Sequence, residues 1–288
     1  VALMLEANPE LGYRDVQQIL AISARKVNDP TTSWQTNGGQ NWNGGGMHVS
    51  HDYGYGEVDA RAAVRLAETW NIQQTLGNEL RLTNPLESGV LNRAITDGQG
   101  AGISHSLTMG AVDILAEHVE VKVNLSHARP GDLILKLISP SGTESILMNR
   151  PGKAPGSAAT DRGNADFDGQ NTLNYVFGTA LLRGEAVQGN WTLQVIDSVT
   201  GDTGTLNSWS LNVYGKGDTI DDQYVYTNEY AQLAASGGRN ALDDTDGGQD
   251  TINAAAISSA SVIDLSKGEA TLAGARLAIT NAAQIEHL

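Results

Sequence analysis

Cysteine is absent from all 288 residues, which excludes disulfide staples, thiolate catalysis and Cys-rich structural zinc. Positive charge is scarce. Only 18 Lys and Arg stand against 33 Asp and Glu, a formal net charge of −15, so the clustered cations of a phosphate-tracking surface are missing and nucleic acid is excluded as a partner. Two Phe against 33 Gly favour turn-rich β structure over helical bundles. No apolar run reaches the length of a membrane span, and no charged start leads into an apolar stretch as in a signal peptide. Nonapeptide and heptad repeats are missing as well, against a solenoid. The chain opens at Val1, inside the apolar run Val1-Ala2-Leu3-Met4-Leu5 and without an initiator Met, as expected of a piece cut from something longer.

Three stretches differ in composition. Residues 1–75 carry 5 basic and 8 acidic groups, residues 76–216 carry 10 and 14, and residues 217–288 carry 3 and 11; the last quarter thus holds more than half of the net charge. In the first stretch Val16, Ile19, Leu20, Ser23 and Val27 recur at helical spacing, which predicts a helix from Tyr13 to Val27 stopped by Asn28-Asp29-Pro30. Ala62, Ala63, Leu66 and Trp70 predict a second helix over Asp59–Trp70. In the second stretch the period changes to two: Val119, Val121, Val123 and Leu125 alternate with polar residues, as do Leu133, Leu135 and Leu137. Two more strands, Trp191–Ile196 and Leu206–Tyr214, complete the pattern of an all-β sandwich or jelly roll. The third stretch has short β-prone runs at Tyr224–Tyr226, Val262–Leu265 and Leu277–Ile279; at this size it needs a metal, its neighbour or further chain to be stable.

These stretches, in this order, resemble the C-terminal half of a secreted subtilisin-like protease of the kexin and furin type. Ala2-Leu3-Met4-Leu5-Glu6-Ala7-Asn8-Pro9, Arg14-Asp15-Val16-Gln17 and Ser23-Ala24 resemble the helix after the serine nucleophile and the next helix of that catalytic domain. Val49-Ser50-His51-Asp52-Tyr53-Gly54-Tyr55-Gly56-Glu57-Val58-Asp59-Ala60 resembles its closing segment. Gly12 departs from the Ser or Thr cap common in the family, as a weaker N-cap. Ile138-Ser139-Pro140-Ser141-Gly142-Thr143, Gly189-Asn190-Trp191-Thr192-Leu193, Val195-Ile196-Asp197 and Gly204-Thr205-Leu206 with Trp209 resemble the P domain that follows. Residues 220–288 are similar to the C-terminal region of serralysin-type secreted proteases, through Tyr224-Val225-Tyr226-Thr227, Asp244-Thr245-Asp246-Gly247-Gly248-Gln249-Asp250-Thr251-Ile252 and Ile263-Asp264-Leu265.

The resemblance implies a mainly β chain: the helical end of an α/β catalytic domain (1–75), a jelly-roll P domain (76–216) that stabilises it, and a small β calcium-binding region (217–288). It implies serine endopeptidase activity by family, secretion (of bacterial type), and a catalytic domain upstream as the partner through which protein or peptide substrates are met. The Gly-Thr-Ser of the nucleophile and the earlier Asp and His are not in this chain, so no catalytic residue is assigned and the fragment is expected not to cleave peptides. Its helix faces, with Val16, Leu20 and Leu66, should then pack on the P domain or stay exposed. A calcium-binding β adhesion module of a large surface protein is the alternative.

Calcium is the cofactor the acidic turns suit, because hard cations take six to eight oxygens from carboxylates and turn carbonyls. Asp244, Asp246 and Asp250 supply three carboxylates around Gly247-Gly248, with Asp244 and Asp246 as alternatives in the alignment; the bland reading is a solvated acidic turn. Asn164-Ala165-Asp166-Phe167-Asp168-Gly169 fits the first half of an EF-hand loop but has Tyr175 where the closing Glu belongs. Asp161, Asp166 and Asp168 there make either a second calcium loop or a plain turn. His48 and His51 beside Asp52 form a conceivable metal pair or two surface histidines, His118 and His127 are expected to be exposed, and Ser104-His105-Ser106 is no nucleophile elbow.

Overall fold

The computed structural model describes all residues except 99, 167, 168, 170, 236–237 and 281–284. The chain forms two compact units, one made of Val1–Glu79 with Lys216–Leu288 and the other of Leu80–Gly215.

The first unit begins with helices α1 (Ala2–Ala7) and α2 (Tyr13–Ser23), a short ribbon of β1 (Gln35–Thr36) and β2 (His48–Val49), and α3 (Ala60–Glu68). Helix α2 ends four residues before the apolar spacing would carry it. Its start is held by Asp15, fully buried, whose Oδ2 accepts the Gly12 N–H at 2.8 Å and the Gln74 N–H at 2.7 Å while Oδ1 accepts the Trp70 indole N–H at 3.0 Å. Glycine at the cap is steric: a Cβ on Gly12 would stand 1.8 Å from the Gln74 carbonyl oxygen. Helix α3 is capped by Asp59, whose Oδ1 accepts the Ala62 N–H at 2.9 Å.

The second unit is an antiparallel sandwich. Its strands are β3 (Leu80–Arg81), β4 (Leu86–Glu87), β5 (Arg93–Ile95), β6 (Ile103–Met109), β7 (Ile114–His127), β8 (Leu133–Ile138), β9 (Glu144–Asn149), β10 (Thr172–Thr179), β11 (Gly189–Asp197) and β12 (Gly204–Gly217). One sheet runs β10-β7-β12-β3, with β4 and β5 also paired to β12, and the other runs β6-β11-β8-β9. The alternation of Val119, Val121, Val123 and Leu125 and of Leu133, Leu135 and Leu137 turns all seven into the core, together with Leu193, Val195, Leu211 and Val213. Trp191 is buried and its indole N–H donates to the Val187 carbonyl at 2.8 Å.

The tail returns to the first unit as β13 (Gln223–Val225), α4 (Tyr230–Ala235), β14 (Ala241–Leu242), β15 (Asp250–Asn253), β16 (Val262–Asp264), β17 (Glu269–Leu272), β18 (Ala275–Ile279) and β19 (Ile285–His287). Its sheets run β13-β15-β19, all parallel, and β14-β18-β17-β16.

The helix faces pack on the tail, where packing on residues 76–216 or exposure was expected. Leu66 is fully buried, and Ile19, Ile22, Ala63 and Trp70 share one core with Val225 and Ala256 of the tail, Val16 and Leu20 packing partly buried against it. Backbone pairing ties the same parts: the Val225 N–H donates to the Asn41 carbonyl at 2.9 Å and the Asn43 N–H to the Val225 carbonyl at 2.8 Å. The Asn43 side chain completes the joint with Thr227, donating to its Oγ1 and accepting its N–H. An apolar stripe states which face is buried but not which partner covers it.

Candidate metal centre

The parallel tail sheet decides which acidic residues meet. Because β13 and β15 pair with Gln223 opposite Thr251, Asp222, just before β13, lies beside Asp250, the first residue of β15. The Asp222 N–H donates to Asp250 Oδ1 at 2.7 Å, and the Thr251 N–H donates to the Asp222 carbonyl at 2.9 Å. The turn into β15 requires glycine: Gly247 and Gly248 have φ of 74° and 125°, and a Cβ on Gly248 would stand 2.0 Å from the Ile220 carbonyl oxygen. That turn brings Asp244 and Asp246 to Asp222, one carboxylate oxygen from each lying within 4.8 Å of the other two.

Asp244 and Asp250 are buried, Asp222 is half-buried and Asp246 is exposed. The Tyr224 hydroxyl sits between two of them, 2.7 Å from Asp244 Oδ2 and 3.1 Å from Asp222 Oδ2, and Asn41 Nδ2 donates to Asp222 Oδ1 at 2.7 Å. Among the described residues Asp250 Oδ2 is buried without an N–H or O–H donor. Burial pushes the Asp250 carboxyl up to about 6; the Asp222 N–H opposes the shift and the charges of Asp244 and Asp222 add to it. Burial also raises Asp222, against the hydrogen bonds from Asn41 and Tyr224, and the charge of Asp246 adds to the rise. Crowded, desolvated carboxylates of this kind are relieved by a cation, and carboxylate oxygens are donors that hard divalent ions take.

Of the acidic residues singled out in the sequence, Asp244 and Asp246 thus meet, with Asp250 directly behind them. Asp222 was missed. Its signal is weak, since nothing in the spacing of Asp222 and Asp250 announces a parallel pairing. The other loop behaves differently. Asp161 Oδ2 accepts the Ala158 N–H at 2.9 Å and its carbonyl accepts from the Arg150 guanidinium, while exposed Asp166 accepts the Gly169 N–H at 3.2 Å. Asp168 lies outside the described residues. Among those described, Asp161 and Asp166 join no group of three ligands within reach of one ion.

The histidines also differ from expectation. His48 is buried between Trp34 and Trp42, with Nδ1 3.1 Å from Glu229 Oε2 and Nε2 2.8 Å from the Tyr55 carbonyl, whereas His51 is exposed. His127 is buried: its Nδ1 accepts the Arg129 N–H at 3.1 Å, which leaves Nε2 to face Asp197 Oδ2 at 3.2 Å. The polar loop around His48 hid its burial, and His127, in phase with the inward positions of β7, is a polar residue at an inward position and was read as outward. His105 accepts the Trp209 indole N–H at 3.1 Å, and Ser106 pairs with Thr192, so neither is set up for proton transfer to the other.

The Leu80–Gly215 unit is, by its architecture, an antiparallel sandwich of two sheets. Residues 116–213 match the family model of the proprotein convertase P-domain, and this unit is a P domain of the subtilisin-like convertase kind. Among curated proteins, the chain is 32% identical over 230 residues to proprotein convertase subtilisin/kexin type 6 of Rattus norvegicus, covering 75% of this chain and 22% of the relative. It is 34% identical over 232 residues to endoprotease bli-4 of Caenorhabditis elegans, covering 76% and 22%. The chain therefore spans only about a fifth of the length of these relatives. A crystal structure of the Aeromonas sobria serine protease in complex with the chaperone ORF2 superimposes with a TM-score of 0.57 at 26% identity, over 74% of this chain and 41% of that one. Among the described residues no helix is long and apolar enough to cross a membrane.

Proposed function

We propose that this chain is the non-catalytic C-terminal portion of a secreted, calcium-dependent, subtilisin-like serine endopeptidase. Residues 1–75 are the end of its catalytic domain, the P domain stabilises that domain, and residues 217–288 form a serralysin-like region that holds calcium through Asp222, Asp244 and Asp246 with Asp250 behind them. The partner is the catalytic domain upstream, through which peptide substrates are met. The observation that carries this reading is the extent of the likeness to convertases: 75% of the chain aligns at 32% identity, well beyond the 116–213 match. An adhesion module would have no reason to keep the sequence of a protease on both sides of the P-domain boundary.

The residues of this chain act by holding, and no bond-making step is assigned to them. Calcium, when bound, neutralises the crowded carboxylates and fixes the Asp244–Asp250 turn. The test is twofold. Ion titration by calorimetry should show calcium binding that Asp244→Asn abolishes; absence of binding at millimolar calcium removes the calcium part of the reading. The 288-residue chain should neither turn over peptides nor take up a fluorophosphonate, and labelling of a serine in it would overturn the non-catalytic assignment.

A further inference from the structure

The outer face of the β10-β7-β12 sheet carries a cleft made by a change of register. Ser210 stands opposite Glu87 and Leu211 opposite Leu86, but Leu206 stands opposite Arg93 and Thr205 opposite Ala94. Residues 88–92 therefore face residues 207–209, two more on one side than on the other. The ends of the longer side are pinned: Ser88 donates its N–H to the Trp209 carbonyl at 3.0 Å and accepts the Trp209 N–H on Oγ at 2.9 Å, and the Leu91 N–H donates to the Asn207 carbonyl at 2.8 Å. The surplus has to leave the sheet, and Gly89 at φ 63° makes that exit. Val90 is left 81% exposed as a wall.

The wall bounds a cavity of about 280 Å³ whose other sides are Glu87, Lys122, Asn174, Ser208 and Ser210, with Asn124 between them. Asn124 Oδ1 already accepts the Asn207 amide at 2.8 Å. The side chains of Glu87, Lys122, Asn174, Ser208 and Ser210 make no hydrogen bond or ion pair among the described residues. Glu87 and Lys122 carry opposite charges into one cleft without pairing, so its formal charge cancels and both groups stay available to a ligand.

We infer that this cleft is a binding site for a neutral saccharide. A ligand with one net charge gains little from a site whose charges cancel. The amides of Asn124 and Asn174 and the hydroxyls of Ser208 and Ser210 offer donors and acceptors side by side, as the vicinal hydroxyls of a pyranose do. The exposed Val90 side chain suits the C–H face of such a ring. The volume, near the lower end of small-molecule clefts at ~300 Å³, sets the ligand at one or two rings. The Trp209 ring is buried and gives no stacking platform, so the affinity belongs in the millimolar range.

The experiment is an amide chemical-shift titration of the isotope-labelled full chain with methyl glycosides of glucose, galactose, mannose and N-acetylglucosamine. At least one should produce saturable shifts confined to residues 87–90, 122–124, 174 and 208–210. Asn174→Ala, at an exposed position, and Ser210→Ala, at a half-buried one, should each weaken that binding about fivefold. The inference is overturned by silence of all four glycosides up to about 100 mM, by unchanged affinity in both variants, or by shifts that appear with the zwitterion glycylglycine and not with a glycoside.

Discussion

Asn41 and Asp222 are 181 positions apart and joined by one hydrogen bond, Asn41 Nδ2 to Asp222 Oδ1, at 2.7 Å. Asn41 sits in the Gly- and Asn-rich loop that precedes α3, and Asp222 is one of three carboxylates gathered in the tail. The same loop pairs its backbone with Val225. A cation in the tail would therefore act on the segment that resembles the end of a protease domain through a direct contact and not through a chain of intermediaries.

This contact gives the first prediction. Asn41→Ala removes the donor that orients Asp222 and leaves its half-buried carboxylate less well ordered. Calcium affinity should fall about fivefold while the sandwich unit keeps its strands. Calorimetric titration of the variant beside the wild type reads this directly, and equal affinities would mean that the loop and the ion site are independent.

A second prediction concerns the shared core. Leu66 is fully buried with Ile19, Trp70, Val225 and Ala256 around one core, so Leu66→Ala should cost about 2–5 kcal/mol. Since the helices share this core with Val225 of β13 and Leu233 of α4, amide exchange in the variant should quicken together in α2, α3, β13 and α4. Quickening limited to α2 and α3 would show that the tail stands without the helices.

The alternation Val119–Leu125 and Leu133–Leu137 was legible because strand period is local, and each expected inward residue is buried. The buried face of α3 was legible for the same reason, helical period being local as well. What covers that face was not, since Val225 and Ala256 reach it only after the whole sandwich has intervened. Asp244, Asp246 and Asp250 stood out through the Gly pair between them. Asp222 did not, because its place depends on a parallel pairing across 28 residues. His127, expected outside, is inside because Asp197 and the Arg129 N–H satisfy both ring nitrogens.

A third prediction uses pH. Glu229 lies below its ordinary 4.5: burial, the largest influence, raises it, but the His48 contact, the Lys26 N–H and the charges of both residues together overcome that. A carboxyl lowered by folding stabilises the native state above its unfolded pKa and loses that contribution as pH falls through the folded value. Wild type should therefore be more stable than Glu229→Gln at pH 7, with the gap closing as pH falls below the ordinary carboxyl value of 4.5. Denaturant midpoints of the two proteins between pH 7 and 3 test this, and a gap independent of pH would remove the ionic part of the contact.

The last prediction addresses the turn that builds the acidic cluster. Gly248 has φ 125°, which a side chain rarely adopts, and the Ile220 carbonyl occupies the space a Cβ would need. Gly248→Ala must therefore shift the segment on which Gln249 donates its N–H to Asp221 Oδ1 at 2.8 Å, and with it the approach of Asp246 to Asp222. Strain of this kind costs on the order of 1–3 kcal/mol. The variant should melt at a lower temperature and respond to calcium much less than the wild type, whereas Gly142→Ala, in a sandwich turn where a Cβ meets nothing within 4 Å but φ is 87°, should show backbone strain with its calcium response intact. If both variants lose the same stability and both keep the calcium response, the Gly247-Gly248 turn does not set the geometry of the site.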